Sequence, residues 1–149
     1  MTAVARVRST FVELMPTTLE AGIVYVSVPF NTAVHLCCCG CGNRVVTPLA
    51  PTQWSLTYNG RDVTLWPSIG NWAYPCRSHY WIDEGVVEWA GNWTDRQIAL
   101  GRRATRQALA AQVVRDATPT LDAAGTAPAR GATAAPRWWS RLRGHQRTK

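Results

Sequence analysis

Four cysteines crowd into five consecutive positions near the middle of the chain. They are Cys37, Cys38, Cys39 and Cys41. Thiols this close along the chain do not reach the Cα separation that a disulfide needs, whereas thiolates are common ligands of zinc. Gly40 and Gly42 allow the chain to curl around an ion, because glycine adopts positive φ without steric cost. The pattern therefore predicts a metal centre.

A fifth cysteine, Cys76, lies far along the chain in a Pro-Cys-Arg-Ser-His segment that ends at His79. Two ligand sets are compatible with these residues. One set has four thiolates, from Cys37, Cys39, Cys41 and Cys76. The other joins a C-x-x-C and a C-x-x-H knuckle through Cys38, Cys41, Cys76 and His79, and spacing alone favours it. Either set fills four positions, which predicts a structural rather than a catalytic zinc.

A serine and two histidines suggest a second kind of chemistry. Ser68 could act as a nucleophile if a neutral imidazole accepts its proton, and His79 and His35 are the only histidines before the basic C-terminal end. Backbone amides near Gly70 or the Asn71 side chain could donate to an oxyanion. A carboxylate from Asp83, Glu84 or Glu20 could orient the imidazole. Alternatively, His79 is a zinc ligand and Ser68 only caps a turn.

The surrounding sequence predicts the strands that must position these residues. Alternating or β-branched residues predict strands over 10–15, 23–28 and 33–36. Asn59-Gly60 predicts a hairpin between the strands at 54–58 and 62–66. A second hairpin is expected between 78–82 and 86–89. The segment from Trp66 to Trp81 has no strand pattern and is expected to be a loop.

The pattern changes at Thr94. A helix is predicted from there to about residue 116, with Ile98, Thr105, Leu109 and Val113 on its apolar stripe. From residue 117 on, Ala, Pro, Gly, Thr and Arg predict a disordered tail. The net charge of +7 divides into −1 for residues 1–93, +3 for 94–116 and +5 for 117–149.

The sequence also indicates where the protein acts. The longest apolar run, 22–30, is too short to span a bilayer, and the first ten residues lack the pattern of a signal peptide. We therefore expect a cytoplasmic protein without membrane contact. The fold class expected is α+β: a small, antiparallel β-rich, zinc-stapled domain (1–93), a C-terminal helix (94–116) that packs on it or projects from it, and a disordered basic tail (117–149).

From Phe11 to about Arg103 the chain resembles a family of bacterial domains long described as of unknown function. The residues that carry the resemblance are Pro16-x-x-Leu-Glu-x-Gly-Ile-Val-Tyr-Val-Ser27, His35-Leu-Cys-Cys-Cys-Gly-Cys-Gly42, Thr47-Pro-Leu49, Pro67-Ser-Ile-Gly-Asn-Trp72, Pro75-Cys-Arg-Ser-His-Tyr-Trp-Ile82 and Gln97-Ile-x-x-Gly-Arg102. Members occur in phage or mobile elements, and some are encoded beside bacterial ubiquitin-like proteins and their conjugating enzymes.

The resemblance implies a zinc-containing peptidase that processes a ubiquitin-like modifier or its conjugates through a serine nucleophile. Its cysteines correspond to Cys37, Cys39, Cys41 and Cys76, which frees His79 for catalysis. Ser68 is then the nucleophile, His79 the base, and His35 an orienter or second imidazole. Trp72 and Trp81 are expected to wall a narrow groove for a C-terminal glycine.

Two other functions compete with the peptidase. The Arg-rich tail with Trp138-Trp139 could make the protein a zinc-stabilised nucleic-acid binder. Alternatively, a Trp-lined face could grip a modifier or another protein without any turnover. Loss of cleavage in Ser68→Ala would distinguish the peptidase from both.

Overall fold

The structure, a computed structural model, describes residues 2–117. It contains two four-stranded sheets and one helix. The first sheet comprises β1 (Arg8–Phe11), β2 (Ile23–Ser27), β3 (Thr32–Leu36) and β4 (Arg44–Pro48). The second comprises β5 (Ser55–Tyr58), β6 (Val63–Gly70), β7 (His79–Asp83) and β8 (Val86–Trp89), and α1 (Asp95–Ala117) follows. The predicted antiparallel-rich α+β architecture with a C-terminal helix is confirmed.

The strands lie beside one another in chain order. Strands β1 and β2 are parallel, and the other neighbouring pairs are antiparallel. Isolated bridges connect the two sheets at both sides, between Leu49 and Trp54 and between Arg6 and Val86. The eight strands therefore surround a common interior.

Apolar side chains from both sheets fill that interior. The period-2 alternation of strands turns Val24 and Val26 of β2 inward, and Leu65 of β6 and Ile82 of β7 meet them in the same core cluster. Tyr80, fully buried, is also part of it. The neighbouring residue His79 must then project from the opposite face of β7, away from the core.

Several predicted elements have different bounds in the structure. Strand β1 spans 8–11 rather than 10–15, and β4 was not predicted. The predicted loop from Trp66 is wrong in its first part, because β6 continues to Gly70. A proline normally interrupts the hydrogen-bond ladder between two strands, since it has no N–H to donate. In β6, Pro67 lies within a bulge, where the ladder is already interrupted.

Helix α1 contacts the domain near its start and again near residue 112, where the Gln112 side chain accepts a hydrogen bond from the Thr52 hydroxyl at 2.8 Å. Ile98 is its buried residue, and Leu109 is half-buried. The predicted stripe is wrong at Thr105, which is exposed, and at Val113, which is 67% exposed. Beyond Ala117, the predicted tail and its nucleic-acid contacts lie outside the described residues. No helix in the described part has the length and apolar character that crossing a membrane requires.

Candidate functional site

Four of the five cysteines meet at one end of the sheets. The Sγ atoms of Cys37, Cys39, Cys41 and Cys76 all lie within 4.8 Å of one another. The first three follow β3, whereas Cys76 belongs to the connection between β6 and β7. The cluster therefore joins two segments that are remote in sequence, as the sequence predicted.

The spacing of these sulfurs fits a metal ion. The Sγ atoms of Cys37 and Cys39 are 3.3 Å apart, and those of Cys41 and Cys76 are 3.7 Å apart. Four thiolates bound tetrahedrally at about 2.3 Å would be about 3.8 Å from each other. The four cysteines thus lie close enough to bind a metal ion, and four sulfur ligands are consistent with zinc.

The alternative ligand set is not the one that the fold assembles. Cys38 is buried in the core cluster, and its backbone N–H donates to the Tyr80 hydroxyl at 3.4 Å. Both ring nitrogens of His79 have partners other than sulfur. Spacing favoured this set, but Cys38 points into the interior while its two neighbours reach the cluster.

The thiols of the cluster differ in acidity. Burial raises the pKa of Cys37 and raises that of Cys39 to about 12. Burial alone would raise the pKa of Cys41 too, but hydrogen bonds, first from the Asn43 backbone N–H, lower it to about 7. Thiolates this close repel each other, so a bound dication is what would allow all four to ionise.

Polar neighbours connect the cluster to β7. The Ser78 Oγ lies 3.1 Å from the Cys37 Sγ, and the Asn71 side chain donates to the same Ser78 Oγ at 2.9 Å. Asn71 also donates its backbone N–H to the Ser78 carbonyl at 2.9 Å. These bonds close the segment 71–78 onto the thiols. Ser78 immediately precedes His79, so the cluster and the start of β7 form one unit.

A bulge in β6 presents Ser68. Ile69 pairs with Tyr80 and Leu65 pairs with Ile82, so three residues of β6 oppose the single residue between them on β7. The peptide bond between Trp66 and Pro67 in this bulge is cis. Bulges re-aim side chains locally. Because Ile69 points into the core, the half-buried Ser68 projects from the other face, on the side of His79.

Ser68 and His79 form a hydrogen bond on this outer face. The Ser68 Oγ lies 2.9 Å from the Nε2 of His79, and the Nδ1 of His79 lies 2.9 Å from the backbone carbonyl oxygen of Gly91. A carbonyl only accepts, so Nδ1 carries the proton and donates to Gly91. Nε2 is then free to accept the proton of the Ser68 hydroxyl. This is the arrangement that activates a serine.

Two tryptophans cover the imidazole. The ring centroids of Trp72 and Trp93 are 4.9 Å and 5.1 Å from that of His79, and the two indoles stack on each other at 5.8 Å. His79 is consequently only 5% exposed although it lies outside the core. Burial lowers its pKa, which keeps the imidazole neutral near pH 7.

His35 lies elsewhere. It is 1% exposed, and its Nε2 is 2.9 Å from the Tyr80 hydroxyl. Burial lowers its pKa to about 4. The structure does not bring it to Ser68 or to the Nδ1 of His79. The expected orienting carboxylates are not there either: Asp83 accepts from Thr64, and the Gly91 carbonyl takes the orienting position.

The remaining predicted residues divide into two groups. Trp72 lies directly over Gly70, since a Cβ on Gly70 would be 2.2 Å from the indole Nε1. Trp81 is the half-buried residue of β7 opposite the bulge, on the same face as His79. By contrast, the side chain of Asn71 donates to Ser78 and, at 3.7 Å, to Cys37. Its amide hydrogens are therefore engaged at the thiol cluster.

Sequence reasoning missed Gly91 because its contribution is a main-chain carbonyl. Any residue type offers the same acceptor, so no side-chain pattern reveals it.

The chain was compared with models of known protein families. The family model described as bacterial ubiquitination-like system serine protease (BubE) matches residues 11–90, more than half of the chain. The comparisons with curated proteins and with solved structures returned no match.

Proposed function

The chain belongs to the family of bacterial ubiquitination-like system serine proteases (BubE), and on this premise we propose that Ser68 and His79 are its nucleophile and general base. One observation carries the proposal: the continuous hydrogen-bonded chain from the Ser68 hydroxyl through the imidazole to the Gly91 carbonyl, with both bonds at 2.9 Å. A third group should orient the imidazole. The sequence predicted His35 or a carboxylate for this role, and in our proposal the Gly91 carbonyl performs it.

The chemistry follows from these contacts. The Ser68 Oγ attacks the acyl carbon of the scissile amide while its proton moves to the Nε2 of His79. The imidazolium then gives this proton to the leaving amine as the C–N bond breaks, leaving an ester on Ser68. Water hydrolyses the ester, with His79 taking the water's proton and returning it to the Ser68 oxygen. The depressed pKa of His79 keeps the imidazole unprotonated at neutral pH, so that it is able to accept a proton.

A neutral carbonyl performs one task of the usual orienting carboxylate. It holds the tautomer in which Nδ1 is protonated, so that Nε2 faces the serine. It carries no full charge, and thus stabilises the transient imidazolium less than a carboxylate does.

The cysteines would hold a structural zinc ion in this proposal. Four protein ligands from Cys37, Cys39, Cys41 and Cys76 leave no position for a catalytic water. The ion's chemical contribution would be to cross-link the two loops. The chain's own residues do the rest: Ser78 contacts the Cys37 thiol, and its neighbour His79 begins β7 at the position that faces Ser68.

We propose a ubiquitin-like protein, or its conjugates, as the substrate class. The family description supports this, since it assigns the protease to a ubiquitination-like system. Trp72 lies over Gly70 and against His79, and Trp81 occupies the same face. Bulky rings beside the serine would narrow the approach and favour small residues at the scissile bond.

A fluorophosphonate tests the proposal without knowledge of the substrate. It should form one covalent adduct per chain, located at Ser68 by peptide mass spectrometry. The adduct should be absent in Ser68→Ala, strongly reduced in His79→Ala and unchanged in Ser9→Ala, a matched serine in the opposite sheet.

A ubiquitin-like protein with a C-terminal extension, from the same system, then tests the substrate class. Ser68→Ala should abolish removal of the extension but retain binding. Labelling of wild-type protein at another residue, or full cleavage by Ser68→Ala, would refute the assignment. Tight binding by wild-type protein without labelling or turnover would instead identify a non-enzymatic binding module.

A further inference from the structure

The segment 90–94 contacts the proposed base at three points. The backbone N–H of Ala90 donates to the His79 carbonyl at 2.9 Å, the Gly91 carbonyl accepts from Nδ1, and the Trp93 indole packs edge-on against the imidazole at 5.1 Å. This segment leads from β8 into α1. The orientation of the imidazole therefore depends on where α1 holds the segment.

The beginning of α1 is anchored on the domain. Thr94 and Gln97 form reciprocal capping bonds, from the Thr94 backbone N–H to the Gln97 side chain at 2.8 Å and from the Gln97 backbone N–H to the Thr94 hydroxyl at 3.3 Å. Asp95 pairs with Arg77, which follows Cys76, at 2.7 Å. Ile98 is buried. The pair between Asp95 and Arg77 connects the helix start to the β6–β7 connection.

Trp93 rests on the helix at Gly101. A Cβ added to Gly101 would lie 3.1 Å from the Cζ3 of the indole. Glycine in a helix interior costs about 1 kcal/mol relative to alanine, and Gly101 does not have the positive φ that would otherwise favour glycine. The space that the missing Cβ leaves is occupied by the Trp93 ring, which in turn lies against His79.

We propose that Trp93, seated on Gly101, is a positioning residue for His79, so that α1 belongs to the catalytic apparatus. Trp93 acts through the imidazole and not on the substrate: it holds the ring against the Gly91 carbonyl and thereby the tautomer that accepts from Ser68. This inference rests on the proposed function for its catalytic meaning. The partners of the imidazole in these contacts are all uncharged groups: the Ser68 hydroxyl, the Gly91 carbonyl and the two indoles.

The test uses substitutions on α1 that displace the Trp93 indole. Gly101→Leu keeps a good helix former but forces the indole away, and Ala104→Leu, at an exposed position of the same helix, is the matched control. Gly101→Ala is the milder variant. It needs a shift of only a few tenths of an ångström at Trp93, so it should displace the indole less than leucine does.

The first readout is independent of activity. In ¹⁵N spectra of wild-type protein at pH 8, the Nδ1 of His79 should appear protonated and Nε2 unprotonated, assigned by loss of the signals in His79→Gln. Gly101→Leu should show a mixture of the two tautomers, whereas Ala104→Leu should match wild type. An unchanged tautomer in Gly101→Leu would overturn the proposal.

The second readout is the rate of fluorophosphonate labelling at Ser68. It should fall about tenfold or more in Gly101→Leu, because small misplacements of a catalytic group are costly, and less in Gly101→Ala. Trp93→Phe should label faster than Trp93→Ala. Equal losses in Ala104→Leu would also overturn the proposal. Absence of labelling in wild-type protein would instead contradict the proposed function, and the tautomer comparison would still decide the role of Trp93.

Discussion

Replacing Cys76 by alanine removes the thiol that the β6–β7 connection contributes to the cysteine cluster. The matched change is Cys38→Ala, at a residue between two members of the cluster whose own thiol lies in the core. We expect Cys76→Ala to lose the metal and Cys38→Ala to keep one zinc ion per chain. Comparison of the two variants distinguishes the four-cysteine ligand set, which contains Cys76 but not Cys38, from the alternative set, which contains both.

The expected magnitudes differ widely. Cys38→Ala removes one buried sulfur, which costs about 1 kcal/mol and lowers Tm by about 4 °C. In zinc-finger peptides a structural zinc contributes an apparent free energy of about 10–16 kcal/mol, which is comparable to the whole stability of many folds. Even a loss of about 5 kcal/mol in Cys76→Ala lowers Tm by about 20 °C. The segment 71–78 would then retain weaker contacts, such as the hydrogen bonds between Asn71 and Ser78 and the ion pair between Arg77 and Asp95.

Metal analysis by mass spectrometry after gel filtration, together with thermal unfolding followed by circular dichroism, measures both effects. A full equivalent of zinc in Cys76→Ala, with unfolding within a few degrees of wild type, would contradict the ligand set Cys37, Cys39, Cys41 and Cys76. Loss of the metal in Cys38→Ala would contradict it equally.

Three further predictions concern histidines and a glycine. Labelling of Ser68 should decline only below pH 6.5, since burial lowers the pKa of His79 and the neutral imidazole is the active form; half-maximal labelling above pH 6.5 would contradict this. His35 has a pKa of about 4 against 6.5 when solvated, so between these values the unfolded chain takes up a proton that the folded chain does not. Stability should therefore fall by about 3 kcal/mol from pH 6.5 to 4, and urea titrations should show a smaller fall in His35→Gln. Gly40→Ala should destabilise the protein more than Gly42→Ala. Both glycines have positive φ, but only a Cβ at Gly40 would meet the backbone, 2.6 Å from a carbonyl oxygen of the N-terminal segment. Equal Tm values for the two variants would disprove this prediction.

The sequence was informative where the residue type itself carries the chemistry. Thiols cluster visibly, and a motif with one serine and another with a histidine suggested the pair that the structure places at 2.9 Å. Hairpin strands were also recognisable, because Asn59-Gly60 and the alternation around it leave few other conformations.

The sequence was misleading where the environment decides. The segment from Trp66 showed no strand pattern, yet β6 continues to Gly70, and its bulge accommodates Pro67 and gives Ser68 its direction. His35 and His79 carry the same functional group, so their sequence does not distinguish them. The pairing of the strands places His35 beside Tyr80 and His79 beside Ser68. On α1, Thr105 and Val113 fitted the apolar stripe by spacing, yet both are exposed in the structure.

The use of the Gly91 main-chain carbonyl limits what mutagenesis can detect in such an enzyme. A Cβ at position 91 meets no atom within 4 Å, so most residues there would preserve the acceptor. A saturation scan scored by substrate turnover would then reveal Ser68, His79 and the side chains that support them, but not the third participant. Families that rely on backbone acceptors in this way would be passed over by any search that demands an acidic partner.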